Sequence, residues 1–338
     1  MDAMSEAGSD FELELEEAEE EEDLDEHTFN WEKNKSFFPN VQPFMGETGL
    51  TPYILSKLSD NTSPLDIFEF FWDDEMIEEI IHQSNLYVTQ IQSKYPEKMK
   101  DWKEVCKNEL WCYFGLTMLM GFVKKPTIKE YWTTNPLIVT PMFGKIMSRN
   151  RFETITRGLH FANNENPNPI DRFWKLGIIC TNLLEKYKKS INVGEITCID
   201  ESLLKFKGRL SIKQYLPFKR ARFGVKFFGL VDNTTKMVVD YIPYQGKNTQ
   251  IATAAQKALY GMGGAVVLKL LQPYLGCFRK VVMDNWFTSP ALAQELLNQN
   301  TYCLGNIRKK RKFMPPMNSK LAKGEVETYV SANIMIER

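Results

Sequence analysis

The spacing of apolar residues changes near residue 191, and no other feature limits the fold of this chain as strongly. Before that point they recur every three or four positions, the period of a helix with one buried face. After it they alternate or run in short β-branched blocks, the pattern of strands. Ser63-Pro64 offers a helix cap followed by proline at the first helical position. Leu65, Phe68, Phe71 and Trp72 come next, and Met76, Ile77, Ile80 and Ile81 carry the stripe to Ser84-Asn85. Trp111, Phe114, Leu116 and Leu119 predict another helix stopping near Gly121, and residues 143–159 and 170–189 predict two more around an Asn/Pro loop at 163–169. Beyond 191, Thr197 and Ile199 alternate with Ile196, Cys198 and Asp200. Residues 223–231 and 237–244 read as a hairpin closed by Asp232-Asn233-Thr234-Thr235-Lys236. A helix over 250–275 interrupted at Gly261–Gly264, a strand Val281-Val282-Met283, a helix over 291–297 and a strand over 302–307 complete a mixed α/β layer.

Charge divides the chain differently. Residues 1–30 hold 14 acidic and no Lys or Arg residues, so the overall net charge of −1 conceals a body of +13 over residues 31–338. An acidic tail over 1–35, too polar to bury a core, precedes a basic body. A basic body suits a polyanionic partner, because each neutralised phosphate releases counterions; solubility alone is the competing explanation. No stretch approaches the roughly 18 apolar residues needed to cross a bilayer, residues 116–123 included, so no membrane partner is expected. The six cysteines form no Cys-x-x-Cys pair and read as reduced core residues of an intracellular protein. His27, His82 and His160 lie too far apart to suggest a ligand set.

Two carboxylates carry the candidate chemistry. Asp200 follows Ile196-Thr197-Cys198-Ile199 and Asp284 follows Val281-Val282-Met283. An acid ending an apolar strand is costly to desolvate unless it is hydrogen-bonded, protonated or bound to a cation. If the strands are neighbours, the pair meets at one sheet edge, where Mg²⁺ would take their oxygens and keep positions open for phosphate. Either aspartate could instead cap a turn. After Asp200 come Lys205, Lys207, Arg209, Lys213, Lys219, Arg220, Arg222 and Lys226, interleaved with Phe206, Tyr215 and Phe218, a composition suited to a nucleic-acid backbone. Arg308-Lys309-Lys310-Arg311-Lys312 suits nuclear import or phosphate binding. Trp286 would stack on a base or, as tryptophans more often do, pack beneath the sheet.

Several of these segments resemble the piggyBac transposase family. Residues 199–209, Ile-Asp-Glu-Ser-Leu-Leu-Lys-Phe-Lys-Gly-Arg, are similar to the family's first aspartate segment. Tyr215-Leu216-Pro217-Phe218-Lys219 and Phe223-Gly224-Val225-Lys226 resemble the Pro-Lys and Gly-Lys stretches that come after that segment in the family. Met283-Asp284-Asn285-Trp286-Phe287-Thr288-Ser289 is similar to the second aspartate segment, and Met147–Phe152 and the helix from Phe70 to Asn85 also fit. The resemblance spans roughly residues 55–335. It implies a ribonuclease-H-like mixed-sheet core (α+β) preceded by an all-helical domain, and Mg²⁺-dependent cut-and-paste DNA transposition. Asp200 and Asp284 match the first two of three catalytic, metal-binding aspartates. No aspartate follows Asp284, and the family's cysteine-rich zinc module is absent. The expected division is an acidic tail (1–35), a helical part (36–190), the core (191–306), and a basic segment opening an incomplete insertion (307–338), so that the fold is truncated at its C-terminal end.

The residues, together with what the resemblance implies, support three functional expectations. The first is a transposable-element-derived nuclear protein that binds double-stranded DNA, retains weak Mg²⁺ binding and lacks independent strand transfer. The second is a fragment or short isoform of an active transposase. The third is a protein-interaction module. Homodimerisation is left open.

Overall fold

The computed structural model describes residues 29–217, 222–246, 249, 251–317 and 321–338. The acidic run of residues 1–28, together with Phe218, Lys219 and Arg220 of the basic segment, lies outside the described residues. Along the chain come β1 (Glu32–Lys33), β2 (Gly49–Leu50), α1 (Pro52–Leu55), α2 (Pro64–Phe71), α3 (Asp74–Lys94) and α4 (Lys107–Phe122). Next are α5 (Pro141–Ile146), α6 (Arg149–Gly158), α7 (Gly177–Ser190), β3 (Ile191–Asn192), β4 (Ile196–Lys205), β5 (Gln214–Tyr215), β6 (Phe223–Asp232) and β7 (Val238–Pro243). The last are α8 (Ala254–Leu271), β8 (Arg279–Met283), α9 (Pro290–Asn298), β9 (Thr301–Gly305), β10 (Thr328–Ser331) and β11 (Ile334–Glu337).

The described residues form two compact units, one of residues 58–186 and one that joins residues 29–57 with the described residues of 187–338. The helical unit buries Met76, Ile77 and Ile80 of α3 against Leu110, Tyr113 and Leu116 of α4, with Phe143, Phe152 and Ile155 closing the cluster. The apolar stripe that promised one helix from Ser63 to Asn85 is broken in two. Ser63 and Asp66 form a reciprocal capping box on α2, and the Asp73 carboxylate then accepts from the Met76 amide (3.1 Å) to start α3 afresh. From there α3 continues to Lys94, well past the expected end. The helix predicted over 170–189 starts only at Gly177.

In the other unit six strands form a sheet in the order β5-β6-β4-β8-β9, with β7 also pairing β6. β4 runs antiparallel to β6 and parallel to β8, and β8 runs parallel to β9. Ile199, Phe228, Leu230, Val281 and Met283 project from the sheet into a core shared with Ala265, Val266, Leu270 and Leu271 of α8 and Leu292 and Leu296 of α9. The predicted break in α8 is a single left-handed residue, Gly261 (φ 71°). The 223–244 hairpin turns where the sequence placed it, because the Asp232 carboxylate accepts from the Gly194 amide (3.0 Å) and from the Thr235 amide (2.8 Å) and hydroxyl (2.7 Å).

Residues 29–35, expected in the acidic tail, and residues 36–57, expected with the helical part, pack with the sheet unit instead. β2 pairs with β3, and β1 pairs with the β10–β11 hairpin to make a three-stranded sheet. Lys33 bridges to Glu327 (2.7 Å), and Tyr329, Val330, Ile334 and Ile336 are buried. The expectation of core cysteines is met only in part. Cys106, Cys112 and Cys277 are exposed, Cys180 and Cys198 are half-buried, and Cys303, also half-buried, packs against the core of the sheet unit. Cys112 falls between the inward-facing Leu110 and Tyr113 of α4, so its apolar neighbours in sequence point elsewhere.

Candidate metal centre and nucleic-acid interface

Two parallel strands place the aspartates. β4 and β8 pair in register, Ile199 opposite Met283, and both of those side chains enter the core. The residues that follow are Asp200, within β4, and Asp284, just past the end of β8, and both are exposed. Successive strand residues alternate faces and neighbouring strands lie about 4.8 Å apart, so the two acids leave the core together at one level of the sheet. Asp200 Oδ1 accepts from the Glu201 amide (2.7 Å), and Asp284 Oδ1 accepts from the Trp286 amide (2.9 Å). The turn after Asp284 is tied further by its carbonyl, which accepts from the Thr288 amide (3.2 Å) and hydroxyl (2.7 Å).

Mg²⁺ is commonly held by only one or two carboxylates, with water and phosphate oxygens completing its shell. Two adjacent exposed carboxylates fit that role as a partial site. Among the described residues no group of three His, Cys, Asp or Glu side chains is arranged to hold a metal ion. Burial, with Asp200 close by, raises the Cys198 thiol above its ordinary range, and burial pushes that of Cys303 up to about 12.

Basic residues divide into three groups. Lys205, Lys207, Arg209 and Arg222 are exposed, alongside the partly exposed rings of Phe206, Tyr215 and Phe223. Lys213 is half-buried, donating to the Gly208 carbonyl (3.1 Å) and lying 5.7 Å from the centre of the Phe223 ring. Lys226 departs from the expected phosphate-binding set. It is only 5% exposed, and its ammonium lies among Phe228, Tyr244 and Trp286. Trp286 itself stacks on Phe228 (centroids 5.4 Å apart, planes at 8°), so of its two expected roles the structure shows packing.

The run at 308–312 is also split. Arg308 Nε donates to Asn285 Oδ1 (3.3 Å), while Arg311 donates to the carbonyls of Asn285 (3.2 Å) and Trp286 (2.5 Å). Lys309, Lys310 and Lys312 are exposed. Two arginines therefore hold the turn that follows Asp284. A five-residue basic run gave no sign of this, since the alternation shows only when Asn285 and Trp286 are brought to it.

Residues 63–338 match the family model described as Transposase IS4. The human PiggyBac transposable element-derived protein 3 is 31% identical over 286 residues, covering 83% of this chain and 46% of the relative. The chain belongs to the piggyBac-type transposase family. Human PiggyBac transposable element-derived protein 2 is 27% identical, with 82% of this chain and 45% of the relative covered. A piggyBac transposase solved by cryo-EM in a synaptic complex with hairpin DNA matches with a TM-score of 0.68 and 25% identity, over 84% of this chain and 60% of that one. The ribonuclease-H-like fold expected of the family is the fold of the sheet unit. The chain spans about half the length of the curated piggyBac relatives it matches. No helix among the described residues is long and apolar enough to cross a membrane.

Proposed function

We propose that this chain is a transposable-element-derived protein that binds double-stranded DNA and that its 338 residues do not by themselves carry out strand transfer. The register of β4 and β8 carries the reading, because it brings Asp200 and Asp284 to one level of the sheet. Lys205, Lys207, Arg209 and Arg222, with Phe206, Tyr215 and Phe223, form a basic and aromatic surface on the segment leaving Asp200. The DNA named for the solved piggyBac relative supports duplex DNA as the polyanion. Asp200 and Asp284 would hold a divalent cation, Mg²⁺ by its preference for oxygen, which when bound offsets phosphate charge. With two carboxylates and no further aspartate after Asp284, its affinity is low. For a DNA-bound role we infer a nuclear location.

The test is binding to labelled duplex DNA across a salt series. The reading expects affinity that falls steeply as salt rises, and no cleavage of the duplex with Mg²⁺ or Mn²⁺ present. Absence of binding at every salt concentration would refute it. The length of the curated relatives favours one further reading, in which these residues act within a longer chain that supplies a third carboxylate. Cleavage by such a longer chain, lost on Asp200→Asn, would support that second reading.

A further inference from the structure

Lys226 is a buried cation with work beyond packing. A methionine would fill the same space without the cost of desolvating a charge, so a lysine at 5% exposure needs another explanation. Its ammonium lies 5.0 Å from the ring centre of Phe228, 5.6 Å from that of Tyr244 and 5.2 Å from that of Trp286. Attraction between a cation and ring faces acts within about 6 Å and strengthens where water is excluded. Glu201 Oε1 is 3.7 Å away, too long for a charge-assisted hydrogen bond, so this contact is a loose ion pair.

The partners of this cation lead to both aspartates. Glu201 adjoins Asp200 on β4, and its amide is the donor to Asp200 Oδ1. Trp286 lies two residues past Asp284, and its amide is the donor to Asp284 Oδ1. One buried charge on β6 thus touches the side chains of the two residues whose backbone N–H groups orient the two carboxylates. We infer that Lys226 is a positioning residue that sets the geometry of the Asp200–Asp284 pair from beneath the sheet, rather than a phosphate contact. This inference rests on the reading that the pair holds a divalent cation.

The test compares the wild type, Lys226→Met, Lys226→Arg and the double variant Glu201→Gln/Lys226→Met. Mn²⁺ binding is followed by the resonance signal of the free ion, and amide exchange over 284–288 by mass spectrometry. The double variant removes both charges of the pair, the buried Lys226 and the part-buried Glu201, so it leaves no unpaired carboxylate beside the rings and stays folded even where Lys226→Met, which takes away only the positive one, does not. The expected result is Mn²⁺ affinity about tenfold weaker and faster exchange over 284–288 in the double variant, as loss of groups supporting metal ligands typically produces. Lys226→Arg, which keeps a cation against the rings, should recover part of both. Wild-type Mn²⁺ affinity and exchange in the folded double variant would overturn the inference. If the wild type takes up no Mn²⁺, the cation reading fails separately, and unchanged exchange over 284–288 still decides against Lys226.

Discussion

Gly263 of α8 lies directly against the carbonyl of Trp286, and a Cβ at residue 263 would stand 2.4 Å from that oxygen and 3.0 Å from the Phe287 Cα. Both atoms belong to the backbone of the turn after Asp284, so no side-chain rotation relieves the clash. Gly263→Ala gains about 1 kcal/mol of helix propensity. Overpacking costs about 1–3 kcal/mol, and here the backbone must move, so the clash wins. Urea denaturation should show net destabilisation, and Mn²⁺ affinity should fall because the displaced turn carries Asp284.

Arg279 anchors the opposite end of β8. It is buried, and its guanidinium donates to the carbonyls of Gly194 (2.9 Å), Val193 (2.7 Å) and Tyr274 while lying 5.3 Å from the Phe44 ring centre. Arg279→Met keeps much of the bulk but leaves buried acceptors without a donor. The expected loss is about 2–4 kcal/mol. Amide exchange should rise around Phe44 and Met45, because the Met45 amide donates to the Cys277 carbonyl in the same corner.

Much of this arrangement was legible in the residues themselves. Val281-Val282-Met283 and Ile196–Ile199 are short, apolar runs that each end at an acid, and the 223–244 hairpin carries its own turn residues. The remainder depends on partners distant in sequence. Lys226 sits in a run that also reads as a basic surface, and only the arrival of Phe228, Tyr244, Trp286 and Glu201 around it makes it a core residue. Residues 29–57 join the sheet unit through strands of two residues, too short to leave a period. The restart at Asp73 was hidden because the apolar stripe continues across it, although an Asp three residues before Met76 is a cap signal in its own right.

Acid should weaken the helical unit through His160. Burial holds this imidazole below its ordinary value of 6.5, with Lys175 adding to the effect and the Asn164 hydrogen bond opposing it; the ring stacks on Tyr87 at 4.0 Å. The unfolded chain therefore takes up a proton near pH 6.5 while the folded chain resists until lower pH. Stability from this group is fully present above about pH 6.5 and is lost as the pH falls below it. Denaturation of the wild type and His160→Gln at about pH 7.5 and about pH 5.5, either side of that value, should show a smaller drop for the variant. Equal drops would remove His160 as a cause.

The exposed residues after Asp200 should govern how DNA binding responds to salt. Replacing Lys205, Lys207 and Arg209 with Ala removes three exposed charges while sparing the buried residues of the sheet. Each lost phosphate contact lowers the slope of log affinity against log salt by about 1. The triple variant should therefore bind duplex DNA more weakly, with a shallower slope and an unchanged melting temperature. A slope equal to that of the wild type would place the DNA surface elsewhere.

The run from Arg308 to Lys312 should separate into two functions under mutation. Arg308 and Arg311 donate to Asn285 and to the main chain after Asp284, so Arg308→Ala/Arg311→Ala should loosen that turn and weaken Mn²⁺ binding. Removing hydrogen bonds from charged donors costs about 1.5–3 kcal/mol each when buried, and less here because Asn285 is exposed. Lys309, Lys310 and Lys312 face solvent, and their replacement by Ala should leave stability and Mn²⁺ binding intact. Those three lysines are the part of the run open to an import receptor. A fluorescent fusion carrying the triple lysine change should therefore lose nuclear accumulation, while the double arginine change keeps it. The reverse pattern would show that import reads the arginines and that the turn after Asp284 stands without them.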